Sequence, residues 1–254
     1  MKTKQEIVTN WLTRYTGRPV DTFPKYVLLT NFQNYVEMFA DLYGVPVLRA
    51  NMPNAATEDL IIINFGMGSP NAATIMDLLM AAKPRAVLFL GKCGGLKRKN
   101  QLGDYILPIA AIRGEGTSND YLPPEVPALP AFSLQRAVSS TIRDHGLDYW
   151  TGTVYTTNRR VWEHDEDFKR RLETMRAMAV DMETATIFTV GFHNEIPSGA
   201  LLLVSDQPMI PEGVKTAESD RKVTSNFAEQ HLQMGIAALS EIAADGNSVK
   251  HLRW

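Results

Sequence analysis

Leu201-Leu202-Leu203-Val204-Ser205-Asp206-Gln207-Pro208 is an apolar run that stops abruptly at a hydroxyl, a carboxyl and an amide. A continuous run of this kind reads as a strand buried on both faces, as in a largely parallel sheet covered by helices. In such sheets chemistry collects at the carboxyl ends of the strands, where loops and helix N-termini converge. Asp206 is therefore the first candidate site residue, with Ser205 beside it. Upstream, Met178-Ala179-Val180-Asp181-Met182-Glu183-Thr184-Ala185-Thr186 repeats the design, a short apolar strand running into Met182-Glu183 and then into a small-residue helical segment. Two strands thus deliver carboxyls to one edge.

Working outward, Leu60 to Phe65 is a β-branched strand, joined by Gly66-Met67-Gly68-Ser69-Pro70-Asn71 to an apolar helix reaching Ala82. Glycines such as Gly68 let backbone approach a ligand, Ser69 suits a helix cap and Pro70 a first helical position. The segment reads equally as an anion or sugar site and as an ordinary strand-to-helix turn. Arg85 to Leu90 is the next strand, followed by Gly91-Lys92-Cys93-Gly94-Gly95-Leu96. Its spacing matches neither a phosphate loop ending in Gly-Lys-Ser/Thr nor the dinucleotide pattern. It reads as a bare loop in which Gly91 and Gly94 leave room for a small ligand, with Cys93 as a small packed residue.

Toward the N-terminus, Thr3 to Tyr15 has helical apolar spacing, Tyr26 to Leu29 is a strand, and the turn Thr30-Asn31 leads to a helix over Tyr35 to Leu42, closed by Gly44. Toward the C-terminus, Gly103 to Arg113 is a strand and the proline-rich Leu122 to Pro130 an irregular excursion. Arg113, Thr117 and Ser118 read either as a phosphate cradle or as a solvated turn. A helix over Leu134 to Asp144 precedes the alternating strand Tyr149 to Thr157, which ends in Asn158-Arg159-Arg160. Paired guanidinium groups at a strand end suit a doubly charged phosphate. Helical spacing from Ser219 to Ala244 completes the chain's regular structure.

Strands alternating with helices over 254 residues, 44% apolar and 21% charged, predict one α/β domain over 1–254: helix layers on both faces of a mixed central sheet. A net charge of -2 offers no field for nucleic acid and no polybasic membrane patch. One cysteine excludes an intrachain disulfide, and neither a secretory signal nor eighteen consecutive apolar residues occur. The expected location is the cytoplasm. His145, His164, His193 and His231 lack metal-ligand spacing and are expected in surface or satisfied core roles.

In combination, Gly66-Met67-Gly68, Gly91-Lys92-Cys93-Gly94-Gly95, Gly152-Thr153-Val154-Tyr155, Val180-Asp181-Met182-Glu183 and Ser205-Asp206 resemble the nucleoside phosphorylase superfamily over nearly the whole chain. Within it, Ile112 to Tyr121 and Thr156 to Glu163 look like the AMP nucleosidase family, whose longer members carry an extra N-terminal domain; a form with the catalytic domain alone is expected here. The resemblance implies hydrolysis of the N-glycosidic bond of AMP to adenine and ribose 5-phosphate, with water as co-substrate and no cofactor. It implies Asp206 as the acid protonating purine N7, oriented by Ser205, and Glu183 as the acceptor of the ribose 2′ and 3′ hydroxyls. Met182 becomes the wall under the sugar and Tyr155 the aromatic stacking on the base. Arg221 is the expected cation beside the acid, with Lys215 competing.

Thr30-Asn31-Phe32 stands where phosphorylases carry a phosphate-binding loop and where hydrolytic relatives place a water-activating glutamate. Phosphorolysis is thereby disfavoured, and Glu183 and Glu115 remain the candidates for activating water. The other readings are a phosphorylase or nucleosidase for unphosphorylated nucleosides, and a non-catalytic nucleotide-binding module. The resemblance also implies a homo-oligomer, a dimer-based hexamer.

Overall fold

The computed structural model describes residues 2–244. Among these residues are eight strands: β1 (Tyr26–Thr30), β2 (Asn54–Ala56), β3 (Leu60–Asn64), β4 (Ala86–Gly95), β5 (Tyr105–Gly114), β6 (Trp150–Thr157), β7 (Ala179–Asp181) and β8 (Ser198–Asp206). They form one mixed sheet in the order β2-β3-β1-β4-β7-β6-β5-β8, and β4 also pairs with β8. The pairings β4–β8–β5–β6–β7–β4 therefore close a small barrel, from which β1, β3 and β2 extend as an open wing.

Closure depends on the glycines of β4. Residues 91–95 are not the loop that their composition suggested; they continue the strand, pairing with β8 and then antiparallel with β7. A register shift between Cys93 and Gly94 bends the strand as it passes between partners. A Cβ at Gly91 would stand 2.4 Å from the Phe89 ring, and one at Gly94 2.9 Å from Pro208. The bare backbone is thus needed for close packing inside the barrel.

Among the described residues, seven helices cover the sheet: α1 (Lys4–Thr16), α2 (Gln33–Tyr43), α3 (Ser69–Leu78), α4 (Phe132–Asp144), α5 (Glu166–Thr174), α6 (Thr184–His193) and α7 (Ala217–Ala244). Strand alternation divides the core in two, because successive side chains point to opposite faces. Val27, Leu29, Ile61, Ile63, Val87, Phe89, Leu202 and Val204 pack with α1, α3 and α6. Leu28, Ile62, Leu88, Leu90, Leu201 and Leu203 pack with α2, α4 and α7. This is the three-layer α/β/α arrangement expected from the sequence. Two elements escaped prediction: β2 is only three residues long, and α5 buries only Leu172 completely, so neither leaves a readable apolar period.

His231 of α7 lies fully buried between the layers, its Nε2 2.9 Å from the carbonyl of Leu201 and its Nδ1 2.9 Å from the Tyr35 hydroxyl. A carbonyl only accepts, so Nε2 carries the hydrogen and Nδ1 receives the tyrosine's. This satisfied core role matches the expectation, and burial lowers the imidazole to about 4. The protein favours the neutral ring, so stability is full above a pH of about 6.5 and falls as pH drops toward about 4. Proton linkage puts the loss at about 3 kcal/mol. Urea unfolding of wild type and His231→Gln across that window is expected to show a steeper acid loss in wild type; parallel curves would contradict the assignment.

Candidate active site

The carboxyl ends of β1, β4, β7 and β8 open into one cleft lined by residues that include Lys92, Met182, Glu183, Ser205 and Asp206. An apolar wall with a few convergent polar groups is the make-up of a small-molecule site. Both carboxyls read from the sequence meet there.

Glu183 stands at the cap position of α6 and is 2% exposed. Its Oε1 accepts from the Gly68 amide at 2.7 Å and its Oε2 from the Met182 amide at 3.3 Å, while the Asn31 side chain donates to the same carboxyl. Gly68 has φ 92°, a left-handed conformation that favours glycine, and this aims its N–H at the acid. Asp181 is held from beneath: Oδ1 accepts from Thr156 Oγ1 at 2.7 Å, and Oδ2 from the amide and hydroxyl of Thr184 at 2.8 and 2.5 Å. Thr156 Oγ1 in turn accepts from the Ala185 amide at 2.9 Å, tying β6 to the start of α6. Burial pushes both carboxyls up, while the donors around Asp181 favour its charge. Burial and then the neighbouring Asp181 charge raise Glu183 to about 8.

Asp206 receives the Ser205 hydroxyl on Oδ1 at 2.7 Å, and Ser205 receives Lys215 Nζ at 3.2 Å. The cation therefore acts on the acid through an intervening hydroxyl. Lys215 also lies 3.0 Å from Asp220 Oδ1, which Lys92 Nζ approaches at 3.0 Å. Asp220 offsets part of both positive charges, and burial outweighs the lowering by Ser205 and Lys215, leaving Asp206 raised above the ordinary aspartate range. Burial thus prevails over the nearby cation in setting the direction of the shift at Asp206.

The remaining sequence candidates divide. Met182, Gly94, Arg159 and Arg160 line the cleft, the arginines at its rim paired with Asp165 at 2.6 Å and Glu163 at 3.2 Å. Asn158 is exposed and outside the lining, as is Arg221; Lys215 occupies the place beside the acid expected of Arg221. Gly91 lies inside the barrel wall, its place set by packing. Arg113 is committed elsewhere: it donates to Ser118 Oγ, Asn119 Oδ1 and the carbonyls of Leu122, Pro123 and Val126. With Thr117 and Ser118 also outside the lining, this group pins the irregular segment instead of facing the cleft. Glu115 is buried against Ser118, away from the cleft.

Tyr155 packs with Phe168 beneath α5, whereas Trp162 of the same cluster reaches the cleft. Ser69 is not the cap of α3. Gly68 is, and the Ser69 hydroxyl donates to the Met182 carbonyl at 2.7 Å. The lining residues that were not expected include Asn31, Phe32, Lys92 and Trp162. Lys92 has a 2% exposed side chain whose Nζ donates to Thr224 Oγ1 at 2.7 Å and sits 4.5 Å over the Phe32 ring. Burial lowers its basicity. Among the described residues no cluster of His, Cys, Asp and Glu is placed to hold a metal ion.

Residues 25–240 match the profile of the Phosphorylase superfamily. The AMP nucleosidase of Escherichia coli K12 is 30% identical over 284 residues, covering 93% of this chain, which spans 58% of that relative's length. The crystal structure of AMP nucleosidase from Bacteroides thetaiotaomicron superposes with a TM-score of 0.86 at 60% identity, covering 96% of this chain and 99% of that one. Uridine phosphorylase from Vibrio fischeri, 20% identical with a TM-score of 0.77 over 87% of this chain and 94% of that one, shares the fold.

Proposed function

The chain belongs to the phosphorylase superfamily, and from that premise we propose that it hydrolyses AMP to adenine and ribose 5-phosphate. The observation carrying the reading is Asp206, a carboxyl kept up by burial at the end of β8 although Lys215 approaches through Ser205. The 60% identity to the Bacteroides thetaiotaomicron AMP nucleosidase supports the choice of substrate.

Cleavage leaves electrons on the purine and positive charge on the sugar. Neutral Asp206 donates its proton to N7 as the C1′–N9 pair passes to the base. Ser205 donates to the other carboxyl oxygen, directing the proton outward. Glu183, fixed by the Gly68 and Met182 amides, accepts the 2′ and 3′ hydroxyls and faces the growing positive charge with its own. Met182 forms the apolar wall under the sugar, and the Trp162 ring takes the part expected of Tyr155. Arg159 and Arg160 at the rim recognise the 5′-phosphate. The reading takes residues 1–254 as one catalytic domain in a cytoplasmic homo-oligomer, a hexamer built as a trimer of dimers. Exposed Ile109, Leu129 and Phe132 supply apolar contact surface, and no described helix is long and apolar enough to cross a membrane.

A chromatographic assay of AMP, adenosine and inosine, each with and without inorganic phosphate, tests the reaction. Adenine and ribose 5-phosphate are expected from AMP without phosphate, with adenosine a poor substrate. A requirement for phosphate with release of ribose 1-phosphate, or binding of AMP without cleavage, would overturn the reading.

A further inference from the structure

The side-chain carbonyl oxygen of Asn31 is buried at the cleft and accepts no hydrogen bond among the described residues. Its amide donates to Glu183, which turns Oδ1 away from that acid. The residue is firmly placed. Thr30 ends β1, its carbonyl takes the Phe65 amide at 3.0 Å, and its hydroxyl takes the Phe32 amide at 3.3 Å as the chain enters α2. An acceptor withdrawn from solvent and left without a donor is costly to keep, which is the pattern found where a ligand supplies the missing hydrogen.

We propose that Asn31 positions the attacking water, its Oδ1 accepting one water hydrogen; this rests on the hydrolytic reading above. Water is favoured over a sugar hydroxyl by topology. β4 lies between β1 on one side and β8 on the other, with Thr30 opposite Leu90 and Asp206 opposite Gly94. Asn31 and Asp206 therefore lie on opposite sides of β4, Asn31 just past the level of Leu90 and Asp206 at that of Gly94. A nucleophile that displaces a base from C1′ arrives opposite to it, so an acid for the base and an acceptor for water belong on opposite sides of the sugar. An amide is no base, so Asn31 orients the water and does not deprotonate it. The water oxygen bonds to C1′ as the C1′–N9 bond breaks, Asp206 gives its proton to N7, and the added oxygen then sheds one proton to solvent. Asp206 regains one from solvent, closing the balance.

The test measures adenine release from AMP by wild type, Asn31→Ala and Asn31→Ser in buffer containing methanol, which competes with water. Methyl riboside 5-phosphate is separated from ribose 5-phosphate. Asn31→Ala is expected to lose about 10- to 100-fold in kcat, the scale of misplacing a reacting group, with KM nearly unchanged and a several-fold larger methanol share. Asn31→Ser keeps a shorter acceptor, is expected between the two, and serves if the alanine variant does not fold. Unchanged kcat and methanol share in either folded variant overturns the proposal. So does a loss confined to KM that vanishes with 2′-deoxy-AMP, which assigns Oδ1 to a sugar hydroxyl. If wild type itself releases no adenine from AMP, the hydrolase reading fails instead.

Discussion

Asp206→Asn is expected to lower kcat for adenine release from AMP by about 10²- to 10⁴-fold, the usual scale of general acid catalysis and about 3 to 5 kcal/mol of barrier. The substitution is close to isosteric. Its amide oxygen still accepts from Ser205, which donates to Asp206 at 2.7 Å in the wild type, and the side chain still fits against Gly94, where any added Cβ would lie 3.2 Å from Oδ2. What disappears is the transferable proton. KM for AMP is therefore expected to stay within a few-fold while kcat collapses, the signature of an interaction made in the transition state. Steady-state kinetics with AMP checks this, and a loss seen in KM alone would assign Asp206 to binding. Lys215→Met gives a contrasting pattern. It removes a positive charge that lowers Asp206 through Ser205, so the acid stays protonated to higher pH and the alkaline limb of kcat/KM moves up.

Glu183→Gln is expected to cost about 10²- to 10³-fold in kcat/KM, the range found when one preorganised electrostatic contact to developing charge is removed. Glutamine still accepts from the Gly68 amide at one oxygen, a bond of 2.7 Å in the wild type, so the loop after β3 is retained. The negative charge is lost, and with it the attraction to the anomeric carbon. The pH dependence carries a second signature. Glu183 is raised to about 8, first by burial and then by Asp181, and the proposed role needs the carboxylate. In the free enzyme kcat/KM should therefore climb as pH rises through about 8. Asp181→Asn removes one of the two upward influences and shifts this ascending limb to lower pH; Glu183→Gln abolishes it. A limb that remains near 8 in Glu183→Gln would assign that ionisation to another group.

What could be read from the chain follows from where its physical signals are local. Leu201–Asp206 announces a buried strand and its polar end in one stretch, and alternation in β1, β3 and β4 fixes both helix layers. The carboxyls at 183 and 206 were legible because they close apolar runs. Lys92 was not, since glycines around it read as loop, and only the paired register of β4 with β8 turns that segment into barrel wall. Tyr155 misses the cleft for a similar reason. Pairing with Ile112 and Val180 puts Tyr155 into the cluster with Leu172, a facing set by neighbouring strands. Arg221 misses the site because Val223 two positions later faces the core, leaving 221 on the solvent side of α7 while Lys215 precedes the helix. Arg113 carries the same charge as Arg159, yet its donors are consumed by the segment it anchors. No local pattern separates a guanidinium that pins an irregular segment from one that lines the cleft rim.

The most direct measurement is a crystal structure of the protein with adenine and ribose 5-phosphate bound. The account requires one carboxyl oxygen of Asp206 in the plane of the purine, about 2.6 to 3.2 Å from N7, with Glu183 on the 2′ and 3′ hydroxyls. A purine bound with N7 facing any other group, or an Asp206 side chain turned out of the cleft, would contradict it.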